Sequence, residues 1–323
     1  MSAMWIALLM REAGIPSGVL SVIHGNKSTV HQLIAHKLVR AVSFVGTEAA
    51  GNQVYDLCCR HRKRIQANMG GKNHTVILPD SPKEFTVTAL IQSCFGSTGQ
   101  RCTSPKVAVL VGDARTWVAD FISAAKALRI GPPEDDGVDI GPMITPEAKI
   151  KLLTQIRVAR DEGAEVVLDG TQFHHQDYPQ GNWLGPTILA NVTTDMACYN
   201  EETFGPLLVC INVDSLEEAI DMINTNRFGN GCSIFTSNGA LSRQFQRDVN
   251  IGIVNINNPH TAPQSSFSFT SNKDSFLGEC SFYGPDCVNF FTFCKTVTSL
   301  WHHPDQIARA HTLSASPSTN PPT

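Results

Sequence analysis

Short apolar runs alternate with helix-length stretches along most of this chain, and that alternation limits the possible folds more than any other feature. Residues 19–23, 41–45, 64–67, 75–78, 107–111, 164–168, 187–190, 207–213, 232–235 and 252–255 read as strands, many of them bounded by Gly, Pro or polar residues. Between them, residues 4–12, 29–36, 47–60, 83–95, 115–128, 146–162, 215–224 and 240–248 read as helices. A repeated strand–helix–strand order predicts an α/β fold, a parallel sheet covered by helices on both faces. The first seventy residues supply about three strands, and a second α/β unit begins near Asn73.

Composition narrows the function. With 323 residues, 42% of them hydrophobic, the chain has room for about two domains and their cores. The net charge of −4 and the absence of any basic run argue against a nucleic-acid partner. The apolar run at residues 4–10 is too short to cross a bilayer. Neither a secretory signal nor an Arg/Ser-rich transit segment stands out, so the chain carries no address of its own. Ten scattered cysteines, several inside apolar stretches, fit a reducing compartment better than a disulfide framework. Cys58, Cys59 and His61 lack the spacing of a zinc site, and no metal is expected. Beyond Trp301 the composition turns to His, Ser, Thr and Pro, which predicts disorder over residues 303–323.

The chemistry centres on Cys102. It follows a helix-length apolar stretch and a turn, Phe95-Gly96-Ser97-Thr98-Gly99-Gln100-Arg101, where backbone N–H groups can approach a small substrate. A thiolate is a strong nucleophile, and Arg101 beside it can lower its pKa or hold an anionic substrate. The alternative is a structural cysteine following a helix-capping glycine. Gly46 and Gly51 are spaced as in a P-loop, yet Asn52 and Gln53 replace its Lys and Ser/Thr, so ATP is disfavoured.

Four motifs occur in order: Phe44-Val45-Gly46-Thr47 with Gly51, Asn68-Met69-Gly70-Gly71-Lys72, Gly99-Gln100-Arg101-Cys102, and Glu201-Glu202-Thr203-Phe204-Gly205-Pro206. Together they resemble the aldehyde dehydrogenase family over nearly the whole chain to Trp301. The resemblance implies a partial Rossmann-type NAD domain plus an α/β catalytic domain. The corresponding division is 1–70 for the cofactor, 71–272 for the catalytic thiol, 273–302 for a return segment and oligomerisation strand, and 303–323 for the tail. It also implies that Cys102 attacks an aldehyde and is left as a thioester after hydride transfer. Gly25, Gly46 and Thr47 would contact NAD, with Glu202 on the nicotinamide ribose and Phe204 beside it.

The wording around these motifs most resembles the coenzyme A-acylating branch that oxidises methylmalonate or malonate semialdehyde. Asn68 stands where hydrolytic members carry a glutamate, and an amide cannot take a proton from water near neutral pH. That favours acyl transfer to coenzyme A over hydrolysis, while Arg101 takes the place of an arginine that holds the substrate carboxylate. The expected partners are a small semialdehyde and like or full-length chains in an oligomer, with no nucleic acid and no membrane. A mitochondrial setting follows by resemblance, and a cytoplasmic one if Met1 is the true start.

Departures from the pattern are expected to matter. The first two strands of the family's cofactor sheet are missing, and with them a ribose-binding lysine, an oxyanion-hole asparagine and a second substrate arginine. Loss of one oxyanion donor typically costs about 2.7–4 kcal/mol. Ser271 stands where a glycine is usual, residues 260–266 replace an apolar loop, and residues 291–300 alternate like a subunit-pairing strand. The rival reading is a catalytically impaired, truncated paralogue that binds or assembles with its relatives.

Overall fold

The computed structural model describes residues 2–259, 262–299 and 301. Helices α1 (Ser2–Glu12) and α2 (Lys27–Ala35) precede strand β1 (Ala41–Val45), helix α3 (Glu48–Arg60) and strand β2 (Arg64–Asn68). Thr47 caps α3, its Oγ1 accepting from the Ala50 N–H at 3.4 Å. After the Gly70-Gly71 turn come β3 (Asn73–Ile77), α4 (Lys83–Phe95), a 3₁₀ segment (Gly96–Gly99), β4 (Pro105–Val111) and α5 (Val118–Lys126). Helix α6 (Pro146–Asp161), strands β5 (Glu165–Leu168) and β6 (Thr187–Ala190), short helix α7 (Ala197–Asn200) and strand β7 (Leu207–Val213) follow. The remainder comprises α8 (Leu216–Thr225), β8 (Phe228–Gly229), β9 (Gly231–Phe235), α9 (Gly239–Asp248), β10 (Ile253–Ile256), β11 (Asn272–Lys273), β12 (Phe276–Gly278) and α10 (Gly284–Phe291).

The larger sheet runs β10-β9-β3-β4-β7-β6-β5, parallel throughout except where β5 lies antiparallel to β6. All seven residues of β4 are buried, as a strand covered on both faces requires. One face packs Leu90 and Phe95 of α4 with Phe121 of α5. The other packs Ile156 of α6, Ile220 of α8 and Phe245 of α9. Each such side chain stabilises the fold by about 1.5–3 kcal/mol through apolar area removed from water.

The smaller sheet joins distant parts of the chain. Strands β1 and β2 pair in parallel, and β12 returns antiparallel onto β2 with Phe276 opposite Asn68. Its third strand therefore comes from residue 276 onward, not from residues 19–23. That earlier stretch forms no strand, and Val19, Leu20 and Ile23 are exposed. Apolar β-branched character alone does not make a strand where no neighbour supplies backbone hydrogen bonds.

Two further expectations shift. The helix expected at 115–128 begins as a 3₁₀ turn, Gly112–Trp117, before α5. The subunit-pairing strand expected at 291–300 is absent among the described residues, with α10 ending at Phe291 and residues 292–299 irregular. A strand-like alternation needs a partner strand before it shows as one. The tail expected to be disordered, 303–323, lies outside the described residues.

Candidate active site

Facing each other are the carboxyl ends of β1 and β2 and the loops that lead into β4 and β7. Between them lies a cavity of about 540 Å³, lined by Val45, Gly46 and Thr47 on one side and by Arg101, Cys102, Glu202 and Phe204 on the other. Met69 and, from α6, Lys151 and Gln155 close the rest. The structure thus brings Gly46, Thr47, Arg101, Cys102, Glu202 and Phe204 together. Neither Asn68, whose chain neighbour Met69 is in the lining, nor Gly25, exposed just ahead of α2 and against Thr29, lines the cavity.

Cys102 sits on a tight turn. Beyond α4 the backbone turns left-handed at Ser97 (φ 53°), Thr98 (φ 59°) and Gly99 (φ 63°), a run that is sterically costly at the two non-glycine residues. Hydrogen bonds hold it: Thr98 Oγ1 donates to Gly141 O at 3.0 Å, and Gln100 Nε2 donates to Pro142 O at 3.3 Å. The Ile144 N–H donates to Gln100 Oε1 at 2.8 Å, and the Ser104 N–H to Arg101 O at 3.1 Å. Burial raises the thiol's pKa and the nearby Glu202 carboxylate raises it further, while the N–H groups of Cys102 and Thr103 pull the other way. Arg101 lies back against Gly96, where a Cβ would meet its guanidinium at 2.5 Å. Its Nε is buried without a hydrogen-bond partner in the protein, while the residue itself lines the cavity, where a guanidinium suits an anionic substrate.

Glu202 is fixed by its neighbours. A Cβ on Gly70 would meet its carboxylate carbon at 2.5 Å, and the Gly71 N–H donates to Oε1 at 3.4 Å. Burial raises the pKa of Glu202, against the Gly71 N–H and the positive Lys151, Lys72 and Lys106. The loop carrying it hangs on buried donors. Lys72 Nζ donates to Glu201 O at 3.0 Å and Thr203 Oγ1 at 2.7 Å, Lys106 Nζ to Gly205 O at 2.7 Å, and Gln155 Nε2 to Glu202 O at 3.0 Å. Burial pushes Lys72 down to about 7 and Lys106 to about 8.

Asn68 is buried at the end of β2, its Oδ1 accepting from Asn230 Nδ2 at 3.4 Å. Lys106 and Gln155 were not among the residues picked out above. A lysine opening an otherwise apolar strand, Lys106 before Val107, is the signal that marks the first; nothing in the sequence marks Gln155. Among the described residues no cluster of His, Cys, Asp and Glu could hold a metal, and no helix is long and apolar enough to cross a membrane.

The cavity suits a dinucleotide. The N-terminus of α3, thirteen residues long and capped by Thr47, opens beside it and favours phosphate. Glu202 offers an acceptor for ribose hydroxyls. Residues 1–297 match the model of the aldehyde dehydrogenase family. The mitochondrial acylating methylmalonate-semialdehyde/malonate-semialdehyde dehydrogenase of Bos taurus is 43% identical over 304 residues, 94% of this chain and 57% of that protein. A Sinorhizobium meliloti protein assigned as a methylmalonate-semialdehyde dehydrogenase, crystallised with NAD, superposes with a TM-score of 0.91 at 36% identity, covering 94% of this chain and 62% of that one. The methylmalonate-semialdehyde dehydrogenase of Oceanimonas doudoroffii superposes equally, TM-score 0.91, at 38% identity with the same coverage. The chain thus spans about three fifths of the length of these relatives.

Proposed function

The chain belongs to the aldehyde dehydrogenase family, and we propose that it oxidises methylmalonate or malonate semialdehyde with NAD and passes the acyl group to coenzyme A. The observation that carries this reading is one cavity lined by Cys102, Arg101 and Glu202; Asn68, buried and next in the chain to the lining residue Met69, offers an amide and no general base.

Cys102 is the nucleophile. Its thiolate attacks the aldehyde carbon, forming a C–S bond and a thiohemiacetal oxyanion that backbone N–H groups of the turn stabilise. NAD, when bound against α3 and Glu202, supplies the hydride acceptor for this oxidation. The resulting thioester persists because Asn68 cannot take a proton from water, and it is released when the thiolate of coenzyme A attacks the carbonyl and Cys102 leaves. Arg101, which lines the cavity, would hold the substrate carboxylate. Gly46 and Thr47 would hold the cofactor's phosphates, and Phe204, 43% exposed, would offer it a flat apolar face. In this reading residues 1–70 form the cofactor part and 71–272 the catalytic part. Like chains assemble around residues 273–302, and the setting is mitochondrial, as the bovine relative's name states for that protein.

The purified chain is expected to turn over malonate semialdehyde to NADH only when coenzyme A is present, forming at most one equivalent of NADH per chain without it, and Cys102→Ala is expected to fall to background. NADH formation at the same rate without coenzyme A would remove the acyl-transfer step. No NADH under either condition would remove the dehydrogenase reading.

A further inference from the structure

Asn73, the first residue of β3, is 1% exposed and spends its whole side chain on the backbone around Cys102. Its Nδ2 donates to Cys102 O at 2.7 Å and to Ser104 O at 3.0 Å, and its Oδ1 accepts from the Gly231 N–H at 3.0 Å. One amide therefore pins the carbonyls on either side of Thr103 to the amino end of β9. With the Ser104 N–H already given to Arg101 O, the turn has little freedom to rotate. Its remaining N–H groups, those of Cys102 and Thr103, are the ones that act on the thiol.

We propose that Asn73 is a positioning residue for Cys102, holding the Cys102 and Ser104 carbonyls so that the backbone N–H groups of the turn stay on the sulfur. This rests on Cys102 being the nucleophile of the proposed reaction. Freed of the clamp, the turn rotates, those N–H groups leave the sulfur, and the thiolate loses its nearest donors. No cation is among the groups that shift the thiol. Glu202, facing the thiol from the loop before β7, opposes ionisation. Arg101 lies on the turn itself, Lys151 lines the cavity from α6, and Lys106 of β4 is directed to Gly205 O.

The test is alkylation by iodoacetamide across a pH series on the full chain, with the Cys102 peptide quantified by mass spectrometry. Buried Cys94 and Cys210 serve as internal reporters of unfolding. Asn73→Ala is expected to move the midpoint for Cys102 upward, slowing its alkylation at pH 7 by about three- to tenfold, the effect of roughly half to one pKa unit. Cys94 and Cys210 stay unmodified, and Asn73→Ser, which keeps one donor, recovers part of the loss. An unchanged midpoint overturns the proposal. So does reaction of Cys94 and Cys210 in step with Cys102, which would assign Asn73 to the fold alone. Since neither NAD nor aldehyde is added, a chain that makes no NADH and still shows the shift refutes the proposed function without touching this assignment.

Discussion

A carboxylate at residue 68 would turn the site toward hydrolysis. Asn68 gives its amide oxygen to Asn230; Asn68→Glu replaces the amide with a longer carboxylate, a base able to activate water. General-base catalysis is worth about 10²–10⁴ in rate. NADH formation without coenzyme A is therefore expected to rise at least about tenfold in this variant, read spectrophotometrically with malonate semialdehyde; no rise would separate residue 68 from the fate of the thioester. Arg101 argues in the other direction, toward the substrate. A charge-assisted hydrogen bond contributes about 1.5–3 kcal/mol, so Arg101→Met is expected to raise KM for the semialdehyde by roughly ten- to a hundredfold. An uncharged aldehyde of equal length should show no such change, and equal losses on both substrates would assign Arg101 to the turn instead of to the carboxylate.

At the scale of elements, the turn between α4 and β4 is the tightest constraint on the site. Gly99 adopts φ +63°, and a Cβ there would meet Gly205 O at 2.3 Å and Lys106 Nζ at 2.4 Å. Gly99→Ala is expected to cost about 1–3 kcal/mol from the left-handed backbone alone. The collision with a neighbouring carbonyl adds to that, so the urea midpoint should fall clearly. The same pair of loops shows how far sequence reasoning reaches. Motifs that fix backbone shape, Gly99 to Cys102 and Glu201 to Pro206, are legible because glycine alone enters left-handed backbone at little cost and proline locks φ. The strands of the larger sheet are legible because burial on both faces demands unbroken apolar runs such as Val107 to Val111. Pairing is less legible. Residues 19–23 have strand composition and no partner, whereas β12 forms only because β2 offers an edge to residues 276–278. Nor does composition announce the buried donors Asn73 and Gln155, whose roles come from carbonyls that only tertiary packing brings within reach. Gly25 precedes a helix, as Gly46 does, but is not among the residues that line the cavity.

For the whole molecule, the buried titratable groups set opposing demands on pH. Burial holds His74 neutral, its pKa down at about 3 from 6.5, with Tyr199 hydrogen-bonded to its Nε2. Between those values the unfolded chain binds the extra proton, so this contribution to stability is complete above pH 6.5 and is lost as pH falls toward 3. Lys72 and Lys106, lowered to about 7 and about 8 from 10.5, act in the same sense at higher pH: the unfolded chain again holds more protons, and stability rises from pH 7 toward 10.5. The thiols oppose this. Cys58, Cys94 and Cys198 are pushed up by burial to about 11 and Cys210 to about 12, from 9.0, so above pH 9 the unfolded chain ionises first and stability falls. Each group tilts the curve by up to about 1.4 kcal/mol per pH unit within its window. Above pH 9 these thiols, with Cys232, which burial also raises, outweigh the two lysines, while between pH 7 and 9 the lysines set the slope. Urea midpoints measured under reducing conditions are therefore expected to climb from pH 5 to a maximum near about 9 and to fall by 11. Lys106→Met, which removes one buried amine, should flatten the climb between pH 8 and 9 and steepen the fall between 9 and 10.5; a climb as steep as in the unsubstituted chain would show that the amine is not carried uncharged inside the fold.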